Sequence, residues 1–104
     1  MKKKTPTYDL EELKELLSEQ DTLHVTRRAR KDAVSLGYPD EDSMVARILK
    51  LKRSEFAESV ESKEHFEDEW QDVYKTFDNK KGIYIKLKMS FNGKGVVVSF
   101  HDLH

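Results

Sequence analysis

Cysteine is absent from the 104 residues, which excludes disulfides, thiolate nucleophiles and cysteine-held zinc together. Glycine occurs four times and proline twice, so the chain is not of low complexity and its segments are free to form regular elements. No glycine-rich phosphate loop is present, and no cofactor is expected. Apolar runs never exceed three residues, at Met44 to Ala46 and Val96 to Val98, against the roughly 20 that a membrane span needs. No membrane-crossing helix is expected. The lysines of Met1-Lys2-Lys3-Lys4 are followed by Thr5-Pro6-Thr7-Tyr8-Asp9, where a signal peptide would carry an apolar stretch, so a cytoplasmic location is the expectation. Net charge is nearly absent too: 19 Lys and Arg against 20 Asp and Glu leave a formal −1. Disorder driven by like-charge repulsion is thereby excluded.

Charged residues are 38% of the chain and hydrophobic ones 37%, where about 25% charged is usual. Such a chain builds one small core under a heavily charged surface, and residues 1–104 are expected to form a single domain. Metal ligation would have to rest on His24, His65, His101, His104 and carboxylates. Only His101 and His104 are close in sequence, and no metal site is expected.

The first half has helical spacing. Leu10, Leu13, Leu16 and Leu17 predict a helix from about Leu10 to Glu19, with Asp9 and Glu12 spaced as a capping box. Leu23-His24-Val25 reads as a short strand. Thr26 can cap a second helix that turns Ala29, Ala33, Val34 and Leu36 inward and stops at Gly37. Asp40 or Asp42 starts a third, with Met44, Val45, Ile48, Leu49 and Leu51 on its buried side. The second half reads as strands, over Ala57 to Ser62 and Glu69 to Phe77, the latter with Trp70 in the core. Ile83 to Ser90 and Val96 to His101 then alternate around Asn92-Gly93 as a β-hairpin. The expected class is α+β, with N-terminal helices packed on a C-terminal antiparallel sheet.

A two-residue Asn92-Gly93 loop places Met89 opposite Val96, Leu87 opposite Val98 and Ile85 opposite Phe100 on the core face. The other face then pairs Lys88 with Val97, Lys86 with Ser99 and Tyr84 with His101. A solvated sheet surface explains Lys88 and Ser99. A histidine beside a phenol and ammonium groups is also the equipment for metal-independent RNA cleavage. There one group accepts the ribose 2′-hydroxyl proton, another protonates the leaving 5′-oxygen, and cations stabilise the phosphate. Histidine, with an ordinary pKa of about 6.5, is the residue type suited to that exchange near neutrality.

Charge is segregated. Eight acidic residues and one basic residue, Lys63, lie between Glu55 and Asp72, whereas Lys75 to Lys94 carries six basic residues and one acidic, Asp78. Arg27, Arg28, Arg30 and Lys31 crowd the start of the second helix, where positive charge opposes the helix dipole. Either phosphate binding at that helix start or pairing with the acidic stretch compensates it.

Several blocks, in order along nearly the whole chain, resemble one family. They are Lys3-Lys4-Thr5-Pro6 with Leu10, Val25-Thr26-Arg27-Arg28-Ala29, Leu36-Gly37, Leu51 with Phe56, Trp70-Gln71-Asp72-Val73-Tyr74, Gly82-x-Tyr84-x-Lys86 and Val97-Val98-Ser99-Phe100. The family is the MqsR toxins, mRNA interferases of type II toxin–antitoxin systems with a RelE-like ribonuclease fold. The Trp-Gln-Asp-Val-Tyr block is the most specific. The resemblance implies a ribosome-independent endoribonuclease that cuts mRNA at short GC-containing motifs and is neutralised by a cognate antitoxin. It also implies roles: the family's active-site glutamine falls on Gln71, its tyrosine on Tyr84, and the basic residue ending the last strand on His101. The family's lysine falls on Glu58, a departure that sets a carboxylate beside the phosphate unless it serves as a base or a cation offsets it. Lys63, His65, Lys86 and Lys88 are candidate substitutes.

The residues so singled out are Gln71, Tyr84, His101, Lys86 and Glu58 for catalysis, and Arg27, Arg28 and Lys88 for RNA binding. Expected partners are mRNA and an antitoxin protein. Two other readings compete: a catalytically weakened relative that binds RNA or antitoxin, for which Glu58 speaks, and an interaction domain whose acidic stretch docks a basic protein.

Overall fold

The computed structural model describes residues 1–62 and 69–104. Helix α1, Leu10–Ser18, turns Leu10, Leu13 and Leu17 inward and is capped by the Asp9 carboxylate, which accepts from the Glu12 amide. Helix α2, Arg27–Ser35, buries Ala29 and Ala33. It ends where Gly37 takes φ of 93°, a left-handed conformation that a glycine adopts without strain. Helix α3, Glu41–Ile48, starts on Asp40, whose carboxylate accepts from the Ser43 amide while the Ser43 hydroxyl reaches back to the cap, and buries Met44 and Ile48. Two expectations are corrected here. Val34 is 54% exposed and Leu49 is 40% exposed. Each follows a buried residue by one position, and a step of about 100° along a helix with a narrow apolar stripe carries it off that stripe.

Six strands form one sheet: β1 (Lys2–Lys3), β2 (Leu23–Val25), β3 (Phe56–Ser62), β4 (Glu69–Asp78), β5 (Lys81–Met89) and β6 (Gly95–Asp102), in the order β1-β3-β4-β5-β6-β2. All neighbours are antiparallel except β2, which runs parallel to β6. The α+β class with helices ahead of most strands holds, although both edge strands come from the N-terminal half. One face of the sheet carries Tyr74, Ile83, Ile85, Leu87, Val97 and Phe100 into a core shared with the helices.

The hairpin differs from its expected register in an instructive way. Its loop has three residues, not two: the Ser90 amide donates to the Lys94 carbonyl, and the Gly93 amide to the Ser90 carbonyl. A type I′ turn needs positive φ at both Asn92 and Gly93, and only Gly93, at 83°, has it. The Ser90 hydroxyl, accepting from the Lys94 amide at 2.9 Å, holds the wider loop. Met89 therefore faces Gly95, Lys88 faces Val96 and Leu87 faces Val97, so Val97 and not Val98 enters the core. Val98 is then an extra residue in β6, and beyond this bulge Lys86–Ser99, Ile85–Phe100 and Tyr84–His101 are opposed as expected. The bulge also ties the helices down. Thr26 donates its hydroxyl to the Val98 carbonyl at 2.9 Å and accepts from the Ala29 amide at 3.1 Å, joining the start of α2 to β6.

Trp70 is a further correction, being half-buried and not part of the core. Its end of the sheet is covered by the N-terminal segment instead of a helix. The Lys3 ammonium lies 4.4 Å from its ring centre, and the Tyr8 hydroxyl donates to its carbonyl at 2.7 Å. The fully buried Asp72 carboxylate accepts from the Thr7 and Tyr8 amides at 2.9 to 3.1 Å. Among the described residues no helix is long and apolar enough to cross a membrane.

Candidate functional site

Strand alternation divides the sheet into the helix-covered face and an opposite one, and the candidate residues gather on the latter. In one row across it, Glu58 of β3, Val73 of β4, Lys86 of β5 and Ser99 of β6 are paired in sequence. In the next row Lys75 of β4 faces Tyr84 of β5, which faces His101 of β6. Gln71 is on β4, two residues before Val73 and on the same face. The middle of this surface is recessed: Val73 is fully buried, and Gln71 and Ser99 are each 8% exposed. Ser99 is thus no solvated surface residue, contrary to expectation. Nor is Lys88, mostly buried and ion-paired with Glu69 of β4.

Tyr84 and His101 stack with ring centroids 4.6 Å apart and planes inclined by 11°. The Lys86 ammonium lies 5.8 Å from the Tyr84 ring centre. His101 Nδ1 is 2.7 Å from the Asp102 carbonyl oxygen, and because a carbonyl only accepts, Nδ1 carries the proton and Nε2 is left as the acceptor of the neutral ring. Burial, and secondarily the negative charge of Glu58, raise the Tyr84 pKa above its usual 10. The phenol is therefore protonated throughout the neutral range. Among the described residues neither the Tyr84 hydroxyl nor the Gln71 amide has a hydrogen-bond partner, so both can donate to a ligand.

Glu58 reaches this face. Its carboxylate lies 3.6 Å from the Lys2 ammonium and 3.9 Å from that of Lys4. The pairing comes about because β1 lies beside β3, with Lys2 opposite Val60. Arg27 and Arg28 are exposed at the start of α2. Among the described residues they form no ion pair, and it is Arg30 that approaches Glu41, at 3.8 Å. Lys63 and His65 lie outside the described residues. Among the described residues no group of three or more His, Asp or Glu side chains is arranged to hold a metal ion.

Sequence reasoning passed over Lys75, exposed directly opposite Tyr84, and Lys2 and Lys4, which offset Glu58. The turn at Asn79-Lys80 contained the signal for Lys75, since a two-residue loop there sets the register of β4 on β5. Nothing in the local pattern of Lys2-Lys3-Lys4 indicated a strand.

No individually curated protein matches the chain. The family described as "Motility quorum-sensing regulator, toxin of MqsA" matches over residues 5–102, from the segment that caps Asp72 to the strand that carries His101. The chain belongs to the MqsR toxin family, the toxins of a toxin–antitoxin system.

Proposed function

We propose that the chain is an mRNA interferase, an endoribonuclease that needs neither the ribosome nor a metal ion and is neutralised by a cognate antitoxin. The observation that carries this reading is the stacked Tyr84–His101 pair on a recessed face, with Lys86 and Gln71 beside it. His101 Nε2 accepts the 2′-hydroxyl proton and the Tyr84 phenol donates to the leaving 5′-oxygen. The Gln71 amide donates to a phosphate oxygen, and Lys86 balances the growing negative charge. Arg27 and Arg28 engage phosphates farther along the strand, and Lys88 joins them when it leaves Glu69. Purified protein is expected to cut RNA with EDTA present, leaving 2′,3′-cyclic phosphate or 3′-phosphate ends. Activity lost in EDTA and restored by a divalent cation would count against the mechanism.

A second reading, that of a weakened relative whose main work is to bind RNA or antitoxin, is favoured by Glu58. A carboxylate about 4 Å from a phosphate opposes it by roughly 1 to 4 kcal/mol, depending on the effective dielectric, and Lys2 and Lys4 offset only part of that. With His101 as the base, Glu58→Lys is expected to raise the cleavage rate about tenfold. Glu58→Gln supplies the control: a fall of a hundredfold or more in its rate would make the carboxylate itself the base.

A further inference from the structure

Beyond the Tyr84–His101 row the same face carries one more row, made of Phe77, Gly82 and Leu103. Phe77 is opposite Gly82 in the β4–β5 register, and the Leu103 amide donates to the Gly82 carbonyl at 3.0 Å. A side chain at residue 82 would crowd both of its neighbours in this row. A Cβ there would stand 3.0 Å from two Leu103 carbons and 3.3 Å from Cε2 of the Phe77 ring. The glycine thus lets the edge of the ring and Leu103 both lie close over bare backbone, while 58% of Phe77 stays in solvent. Phe77 is also the diagonal neighbour of Tyr84, since Tyr84 is opposite Lys75 two residues earlier in β4. Diagonal neighbours have Cα atoms about 7 to 8 Å apart, close enough for one nucleotide to touch both.

We propose that Phe77 is a stacking platform for one nucleobase of the RNA, the base next to the phosphate that Tyr84 and His101 address. This rests on the endoribonuclease reading and adds a subsite to it. An exposed ring, an exposed ammonium at Lys75 and an acid–base pair follow one another along the face. They match a base, the oxygens of the neighbouring phosphate and the reacting 2′- and 5′-oxygens of a single-stranded RNA. Aromatic rings beside basic side chains recognise unpaired bases through their π faces, with little demand on base identity. A protein partner is a poorer fit, because one ring and one leucine fall far short of the roughly 800 Å² per partner that a stable interface covers.

The test first maps a site that the wild-type protein cuts. It then measures binding of a short 2′-O-methyl RNA of that sequence, intact or with one abasic nucleotide beside the cut. Base stacking is worth about 1 to 3 kcal/mol, so Phe77→Leu should bind the intact RNA roughly 5- to 150-fold more weakly at an unchanged melting temperature, and Phe77→Trp should restore affinity. The abasic RNA should bind wild type and Phe77→Leu equally. Equal binding of intact RNA by both proteins would overturn the platform while wild-type cleavage still stood. So would an abasic penalty of the same size in both, or a Phe77→Leu protein that keeps RNA but no longer binds the antitoxin. A wild-type protein that neither cuts nor binds RNA would remove the endoribonuclease reading and the platform together.

Discussion

His101→Ala and Tyr84→Phe are each expected to lower RNA cleavage by roughly 10² to 10⁴ while the protein stays folded, the usual loss when one acid–base group is removed. In the proposed mechanism the two stacked side chains serve the two reacting oxygens of one phosphate. The imidazole holds its proton on Nδ1 against the Asp102 carbonyl, which leaves Nε2, in this proposal, to take the 2′-hydroxyl proton as the 2′-oxygen bonds to phosphorus. In the same proposal the bond from phosphorus to the 5′-oxygen breaks while that oxygen takes the phenol proton of Tyr84. Burial and Glu58 raise the phenol pKa, which keeps Tyr84 in its donating form. Tyr84→Phe preserves the ring that stacks on His101, so its loss of activity would report the hydroxyl alone. Both variants should melt at nearly the wild-type temperature, since each side chain is only partly buried. The check is a single-turnover rate on one RNA, followed across about pH 5 to 8, where histidine chemistry is expressed. Full activity of His101→Ala over that range would show the assignment to be wrong and would move the proton chemistry to other residues.

The opposition of Tyr84 and His101 was legible in the alternation of the last two strands, but partly because two departures cancel. The loop has one residue more than Asn92-Gly93 suggests, and β6 takes up one more at Val98. Period-two patterns report which residues share a face, and they placed Lys86 opposite Ser99 correctly. They are silent on bulges, because the bulge answers a distant demand: the Val98 carbonyl is taken by Thr26, 72 residues away in sequence. Trp70 misled for a similar reason. Its size argues for a core, yet the element above it is Lys3 of an N-terminal segment with no apolar pattern. The setting of Glu58 also depends on strand order. Its lysine partners are Lys2 of β1 and Lys4 just after it, and β1 is held to β3 by backbone hydrogen bonds that residue type does not encode. Strand neighbours this far apart are chosen by the packing of the whole sheet, and local propensity has little say in them.

Alkaline pH should unfold the protein through two buried phenols. The pKa values of Tyr38 and Tyr74 are both pushed up to about 12, in each case chiefly by burial. For Tyr38 the hydrogen bond its hydroxyl donates to Asp78 adds to the effect, and for Tyr74 the charges of Asp72 and Asp9 do so. Both side chains lie in the core, and Tyr38 meets Phe100 edge-on at 5.0 Å between ring centres. In the unfolded chain each phenol ionises near 10, so the folded state holds the proton more tightly. The sign follows: this stability is present in full below about pH 10 and is lost as pH rises through about 12. Unscreened, a shift of about two units corresponds to roughly 2 to 3 kcal/mol for each residue; solvent screening lowers that, and what is left is still a sizeable part of the 5 to 15 kcal/mol that holds a domain folded. Denaturant midpoints should therefore stay level through neutral and mildly alkaline buffers and fall steeply between about pH 10 and 12, with tyrosinate absorbance rising in the same transition. Tyr38→Phe, which removes one ionisable group and keeps its ring, should make that fall shallower. All four tyrosines titrating freely near pH 10 with the fold intact would show that neither phenol is held as the packing around Phe100 and Asp72 requires.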